Sequence, residues 1–230
     1  MRFLTAILFL SLLSTGICCA VEILSAQQDP QAKNYAHDFK TRTTEERESI
    51  VLTLYQTGDT GAVPVLIEAL KDVWSDIRCT AANALGNIGP AAKDAVPALI
   101  QELKDMNENV KSCAAKALIK IGKPAVPASA EALRVKNAWS VLRCATAQIL
   151  GEIGDTSAVP ALIEASKEEN VEEGDVRCAA VTALGNIGDK SSLKVLIYVM
   201  KNDESEEVRT AAKKAINEIN SKIGIKKTKK

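Results

Sequence analysis

Histidine is almost missing from this sequence: His37 is the only one in 230 residues. Aromatic residues make up 3% of the chain. A core so poor in rings must be built from Ala, Leu, Ile and Val, which suits closely packed helices. An excess of one charge is also lacking, with 29 basic against 29 acidic residues. Nothing global therefore points to nucleic acid or to an anionic membrane surface. After the first twenty residues no segment is long and apolar enough to be transmembrane. No nucleophile–base pair, Gly-rich phosphate loop or metal-ligand spacing is visible. The sequence therefore gives no catalytic residues, no metal set and no cofactor, and the expectation is that the chain is not an enzyme.

The one long apolar run lies at the start. Arg2 precedes the stretch from Phe3 to Ile17, followed by Cys-Cys-Ala. A basic start, an apolar stretch and small residues at Cys18 and Ala20 read as a secretory signal peptide cut after Ala20. The protein is then exported, to a periplasmic or extracellular location. Membrane anchoring is the alternative, through an uncleaved span or through lipid on Cys18 or Cys19. Residues 21–42 are polar, hold His37 and read as a linker or arm. The tail, 221–230, carries five lysines. It either solvates the last helix or touches anionic lipid.

Between these ends the sequence repeats. The string RCTAANALGNIG at 78–89 returns as RCAAVTALGNIG at 177–188. A basic residue leads by eleven positions to a capping residue six times over. The pairs are Arg47 and Gly58, Arg78 and Gly89, Lys111 and Gly122, Arg143 and Gly154, Arg177 and Gly188, and Arg209 and Asn220. Gly and Asn tolerate the left-handed backbone that a helix C-cap requires. A second motif, such as GAVPVLIEAL at 61–70, precedes most of these strings. Its apolar residues follow the spacing of an amphipathic helix. Pro64, Pro97, Pro127 and Pro160 stand near its start, where a missing N–H costs least. Asp59, Asp155 and Asp189 are N-cap candidates. Each unit of roughly 32 residues is thus a helix hairpin, and only a stack of hairpins buries its apolar faces. The predicted fold is all-α: a right-handed α-solenoid of five hairpin repeats plus an N-terminal half repeat, over residues 43–220. In the second helices Ala81, Leu85 and Ile88 face the core. In the third unit Ser129 and Ala130 replace a Leu-Ile pair, which thins the core there.

The pattern GDTSAVPALIEA…DVRCAAVTALGNIG resembles the HEAT repeats, specifically the short HEAT-like repeats named after phycobilisome lyases. The resemblance implies a ladder of Arg–carboxylate bonds between successive units. Arg78, Arg143, Arg177 and Arg209 would supply the cations, and Asp76, Asp175 and Glu207, two positions earlier, the acids. It also implies a concave surface lined by the second helices. By register that surface runs through Asn83, Lys116, Gln148, Thr182 and Lys214, then Asn87, Lys120, Glu152, Asn186 and Glu218. This stripe is mixed polar and fits a protein or peptide better than a nucleic acid. The metal chemistry of HEAT-like hydroxylases depends on His-Glu pairs, which the repeats here lack.

Trp74 and Trp139 each stand four residues before an arginine, at the turn inside a hairpin. They serve either as interface anchors or as lids on the apolar seam. The acidic stretches 167–175 and 202–207 lie along the same edge. They read as charges at helix N-termini, with cation binding as the alternative.

Four cysteines remain in the repeats. Cys79, Cys144 and Cys178 share one register, and Cys113 stands one residue further on. Equivalent positions in neighbouring units lie about 8–10 Å apart. A disulfide needs Cα atoms within about 7 Å, so thiols are expected. The function expected is an exported, monomeric scaffold that binds another protein or peptide. The alternative is a bilin-lyase-like or redox protein using Cys144 and Cys178 as thiol ligands.

Overall fold

A computed structural model describes residues 39–135, 139–167 and 174–224. The signal-peptide reading, most of the arm with His37, and the tail beyond Gly224 lie outside the described residues. So do residues 168–173 of the first acidic stretch. Every regular element among the described residues is helical. The chain forms two compact units, with the boundary between Ile121 and Gly122.

In the first unit, α1 (Thr44–Thr57) is the half repeat. Two hairpins follow: α2 (Val63–Ala69) with α3 (Ser75–Ile88), and α4 (Val96–Glu102) with α5 (Glu108–Ile121). A capping box starts α1: the Thr43 hydroxyl accepts from the Glu46 N–H, and the Glu46 carboxylate accepts from the Thr43 N–H. Helix α3 packs against both α1 and α5. Its Ala81 and Leu85 are buried, while Ile88 is half-buried.

The second unit holds three hairpins: α6 (Val126–Arg134) with α7 (Ser140–Ile153), α8 (Val159–Ala165) with α9 (Gly174–Ile187), and α10 (Leu193–Asn202) with α11 (Glu206–Lys222). Here α9 packs against both α7 and α11. The half repeat and five hairpins therefore stand as expected from the sequence.

The local chemistry follows the reading with one exception. Pro64, Pro97, Pro127 and Pro160 sit in the first turn of their helices. Asp59, Asp155 and Asp189 accept N–H bonds from Gly61, Ser157 and Ser191 and start short 3₁₀ turns. The five capping glycines have φ between 62° and 79°, a region that Cβ disfavours. Asn220 is the exception. Helix α11 runs through it to Lys222, and the positive φ falls at Gly224. Glu218 and Lys222 on either side of Asn220 are good helix formers, and the helix continues through it.

Ser129 is fully buried in α6, at the position that Leu66, Leu99 and Leu162 fill elsewhere. Its hydroxyl finds no hydrogen-bond partner among the described residues. The thin point of the core is thus also a polar one.

Small residues set how closely the second helices approach. A Cβ added at Gly151 of α7 would lie 2.7 Å from Cα of Ala183 and 2.8 Å from its Cβ, on α9. Gly86 faces Ala117, and Gly185 faces Ala215, in the same way. Since the obstacle is backbone, the helices must separate to admit a methyl group. Gly151→Ala gains helix propensity, yet it is expected to lose about 1–3 kcal/mol net through overpacking. Gly174→Ala, where the nearest atom is 3.9 Å away, is expected to be neutral or stabilising. Urea midpoints of the two variants test this.

Candidate functional site

The turns inside the hairpins are organised by an aspartate that serves two repeats. Asp72, Asp105 and Asp203 stand six positions before Arg78, Lys111 and Arg209. In each, Oδ1 accepts the N–H two residues on, from Trp74 (3.0 Å), Asn107 (2.7 Å) and Ser205 (2.9 Å). The same carboxylate receives the arginine of the preceding repeat. Nε of Arg47, Arg78 and Arg177 donates to Asp72 (2.6 Å), Asp105 (2.7 Å) and Asp203 (2.9 Å). Nη2 of the same arginines completes a two-pronged contact at 3.4, 2.9 and 3.1 Å. Nη1 of Arg78 and Arg209 donates backward, to carbonyls of the residue's own turn.

The Arg–carboxylate ladder therefore exists, but its acids differ from those expected. Asp76, Asp175 and Glu207 are exposed on the first turns of their helices. The ladder acids precede the helices, where the turn brings them under the guanidinium of the previous unit. The sequence signal was an aspartate recurring six residues before the basic position. Arg143 is fully buried, and its Nε donates to the Leu133 carbonyl at 2.8 Å. The aspartate register of the turn following Arg143 falls in 168–173, outside the described residues.

One rung carries a third charge. Glu102 Oε2 lies 3.7 Å from Arg78 Nε. Burial, the Asp105 charge and a hydrogen bond shared with Asp105 push the Glu102 carboxyl up to about 7, with Arg78 pulling the other way. Burial also works against Asp105, but the Arg78 guanidinium and the Asn107 N–H outweigh it and hold that carboxyl below its usual range.

The same turns expose apolar side chains. Val73 and Trp74 are 85% and 58% exposed, and Met106, the register equivalent of Val73 in the next hairpin, is fully exposed. Arg78 ties these turns together, since it holds the Val73 carbonyl (3.1 Å) and Asp105 at once. In the second unit Trp139 is 69% exposed. Both tryptophans are N-cap residues with no side-chain cap bond.

On the second helices, Asn87, Lys116 and Lys120 are exposed in the first unit, and Gln148, Glu152, Thr182 and Asn186 in the second. Lys120 donates to the Asn87 side chain at 3.0 Å. Asn83 is half-buried, because its amide turns to sulfur. That sulfur corrects the reading of the cysteines: Cys79 and Cys113 form a disulfide, with Cα atoms 5.4 Å apart. The expected 8–10 Å is a distance between helix axes, and two Cα atoms on facing sides of close-packed helices lie well inside it. Cys144 and Cys178 remain thiols, each half-buried. Burial, then the Glu207 and Asp175 carboxylates, push the Cys178 thiol up, against a hydrogen bond with Thr182. A thiol so held is a weak nucleophile at neutral pH.

The family model for HEAT repeats matches residues 63–143 and 130–217, and that for the PBS lyase HEAT-like repeat matches 46–72. No curated protein matches the chain. Among solved structures, the CpcE–CpcF complex of phycocyanin lyase from Nostoc is 21% identical, covering 68% of this chain and 99% of that one, with a TM-score of 0.49. An archaeal HEAT-like repeat protein from Thermococcus onnurineus is 13% identical over 88% and 92% of the two chains, with a TM-score of 0.48. Human deoxyhypusine hydroxylase is 21% identical over 88% and 84%, with a TM-score of 0.47. Two of these neighbours are enzymes by name. The expectation that the chain is not an enzyme is corrected accordingly, because this class of scaffold includes enzymes.

Two outcomes test the ladder. Asp203→Ala removes the two-pronged carboxylate from the Arg177 guanidinium, 3% exposed, and leaves Glu204 Oε1 at 3.8 Å; it is expected to cost about 3–5 kcal/mol. Glu207→Ala is expected to cost less than about 1 kcal/mol. Chemical denaturation distinguishes them. The second outcome concerns pH. The native state holds the Glu102 proton more tightly than the unfolded chain, so this group's contribution to stability falls as pH rises from 4.5 to about 7. Glu102→Gln is expected to flatten that fall in urea midpoints measured across the window.

Proposed function

The chain belongs to the HEAT repeat family, and from that premise we propose that it is an exported protein that binds a protein or peptide partner along its turn edge. The observation that carries this reading is the exposure of Val73, Trp74 and Met106 on turns that Arg78 holds in fixed relation. A turn whose backbone is already held loses little backbone entropy when its apolar side chains are covered, and tryptophan is a frequent anchor at interfaces. The polar stripe on the second helices, from Asn87 to Lys120, supplies hydrogen-bonding groups of the kind found at an interface rim. Export is supported by the apolar N-terminal run and by the Cys79–Cys113 disulfide, since such bonds persist in oxidising compartments.

A photo-crosslinking residue at position 74, in cells that make the protein, is expected to trap a protein partner. The same probe at the exposed position 94 is expected to trap none. Trp74→Ala is expected to weaken the trapped partner's binding by roughly tenfold or more. The mature protein in the adduct is expected to begin at Val21. Equal yields at 74 and 94 would refute the edge, and a chain retaining residues 1–20 would refute cleavage.

A further inference from the structure

The Cys79–Cys113 bond joins two helices that are already joined without it. Gly86 packs on Ala117, where a Cβ would lie 2.9 Å from the facing Cα. Arg78 binds Asp105 through two nitrogens. Lys120 donates to Asn87. These contacts span the length of α3 and α5, and none involves sulfur. The second unit shows the same packing with no cross-link: α7 and α9 meet through Gly151 and Ala183 while Cys144 and Cys178 stay thiols. The position there that matches Cys113, two residues after the basic one, is Ala179. The bond is therefore not what holds the helices in place.

Its surroundings are those of a bond that can be reached and opened. Cys79 is half-buried while Cys113 is 8% exposed, so Cys79 is the more solvent-exposed residue of the pair. Ser112 and Lys116, beside Cys113, are exposed. The Asn83 amide donates to both sulfurs, at 3.6 Å to Cys79 and 3.4 Å to Cys113. A neutral disulfide gains little from such a donor. A thiolate gains much more, because hydrogen bonds to ionised groups are roughly twice as strong.

We propose that Cys79–Cys113 is a dithiol-exchange site, a disulfide that a dithiol reductant opens on the folded protein. The reductant's thiolate attacks Sγ of Cys79. The S–S bond breaks, and its electron pair leaves on Sγ of Cys113, where the Asn83 N–H stabilises it until a proton arrives from solvent. The reductant's second thiol, deprotonated, then displaces the Cys79 sulfur, which also takes up a proton. The protein gains two electrons and two protons, and the dithiol becomes a disulfide. Closure is the reverse, with a disulfide partner as oxidant. This inference does not rest on the proposed partner binding.

The test uses the full chain, oxidised, in native buffer with dithiothreitol, and reads carbamidomethylation at each cysteine by peptide mass. Opening in native buffer is expected at a rate within about tenfold of that in urea, with the helical circular dichroism unchanged. Opening only as fast as the protein unfolds would overturn the proposal, as would failure of the two cysteines to pair under air. Brief treatment with glutathione, a monothiol, is expected to leave its adduct on Cys79, and an adduct on Cys113 alone overturns the assignment of the attacked sulfur. Asn83→Leu keeps the cover but removes the donor, and is expected to slow opening several-fold. An unchanged or faster rate overturns the role given to Asn83.

Discussion

The arginine-to-aspartate contact between successive hairpins is the interaction on which each unit depends. One carboxylate closes its own turn through an N–H bond and receives the guanidinium of the repeat before it. Asp72, Asp105 and Asp203 do this while only 4, 9 and 7% exposed. A charge so placed is costly without its partner. The hairpin turn and the stacking of neighbours are therefore not independent. A misplaced turn would bury an unpaired aspartate, and a misplaced neighbour would strand an arginine. In a scaffold whose core is mostly small aliphatic residues, that coupling supplies the directionality that apolar packing lacks.

The close approach of the second helices is the complementary constraint. Gly86, Gly151 and Gly185 admit the facing alanines because they have no Cβ. One consequence is that side chains near the seam come within covalent reach. Cys79 and Cys113 are joined in the first unit, whereas the second offers Ala179 at the matching position and retains its thiols. The same packing thus carries a cross-link in one unit and none in the other.

The rigid turns also explain why apolar side chains can stand in solvent there. Arg78 fixes the Val73 carbonyl and Asp105 together, so Val73, Trp74 and Met106 project from a backbone that is already committed. Asn83, expected on the open stripe, is instead turned toward sulfur, while Asn87 and Lys120 pair across repeats. The stripe is in part a set of inter-repeat bonds.

Helices, caps and repeat number were legible in the sequence because each rests on contacts a few residues apart. Proline at the first turn, glycine after the last and apolar residues at helical spacing need no knowledge of the neighbours. Asn220 failed as a cap because Asn only tolerates the left-handed backbone, and the helix formers around it carry α11 on to Lys222. The pairings were not legible for a related reason. The string Arg-Cys gives one register, but which acid an arginine meets, and which sulfur a cysteine meets, depends on the offset between helices about thirty residues apart. Glycine against alanine sets that offset, and it is a property of two surfaces in contact. The sequence by itself determined the repeat and the family. Only the tertiary structure decided that Asp105 rather than Asp76 belongs to the ladder with Arg78, and that Cys79 finds Cys113.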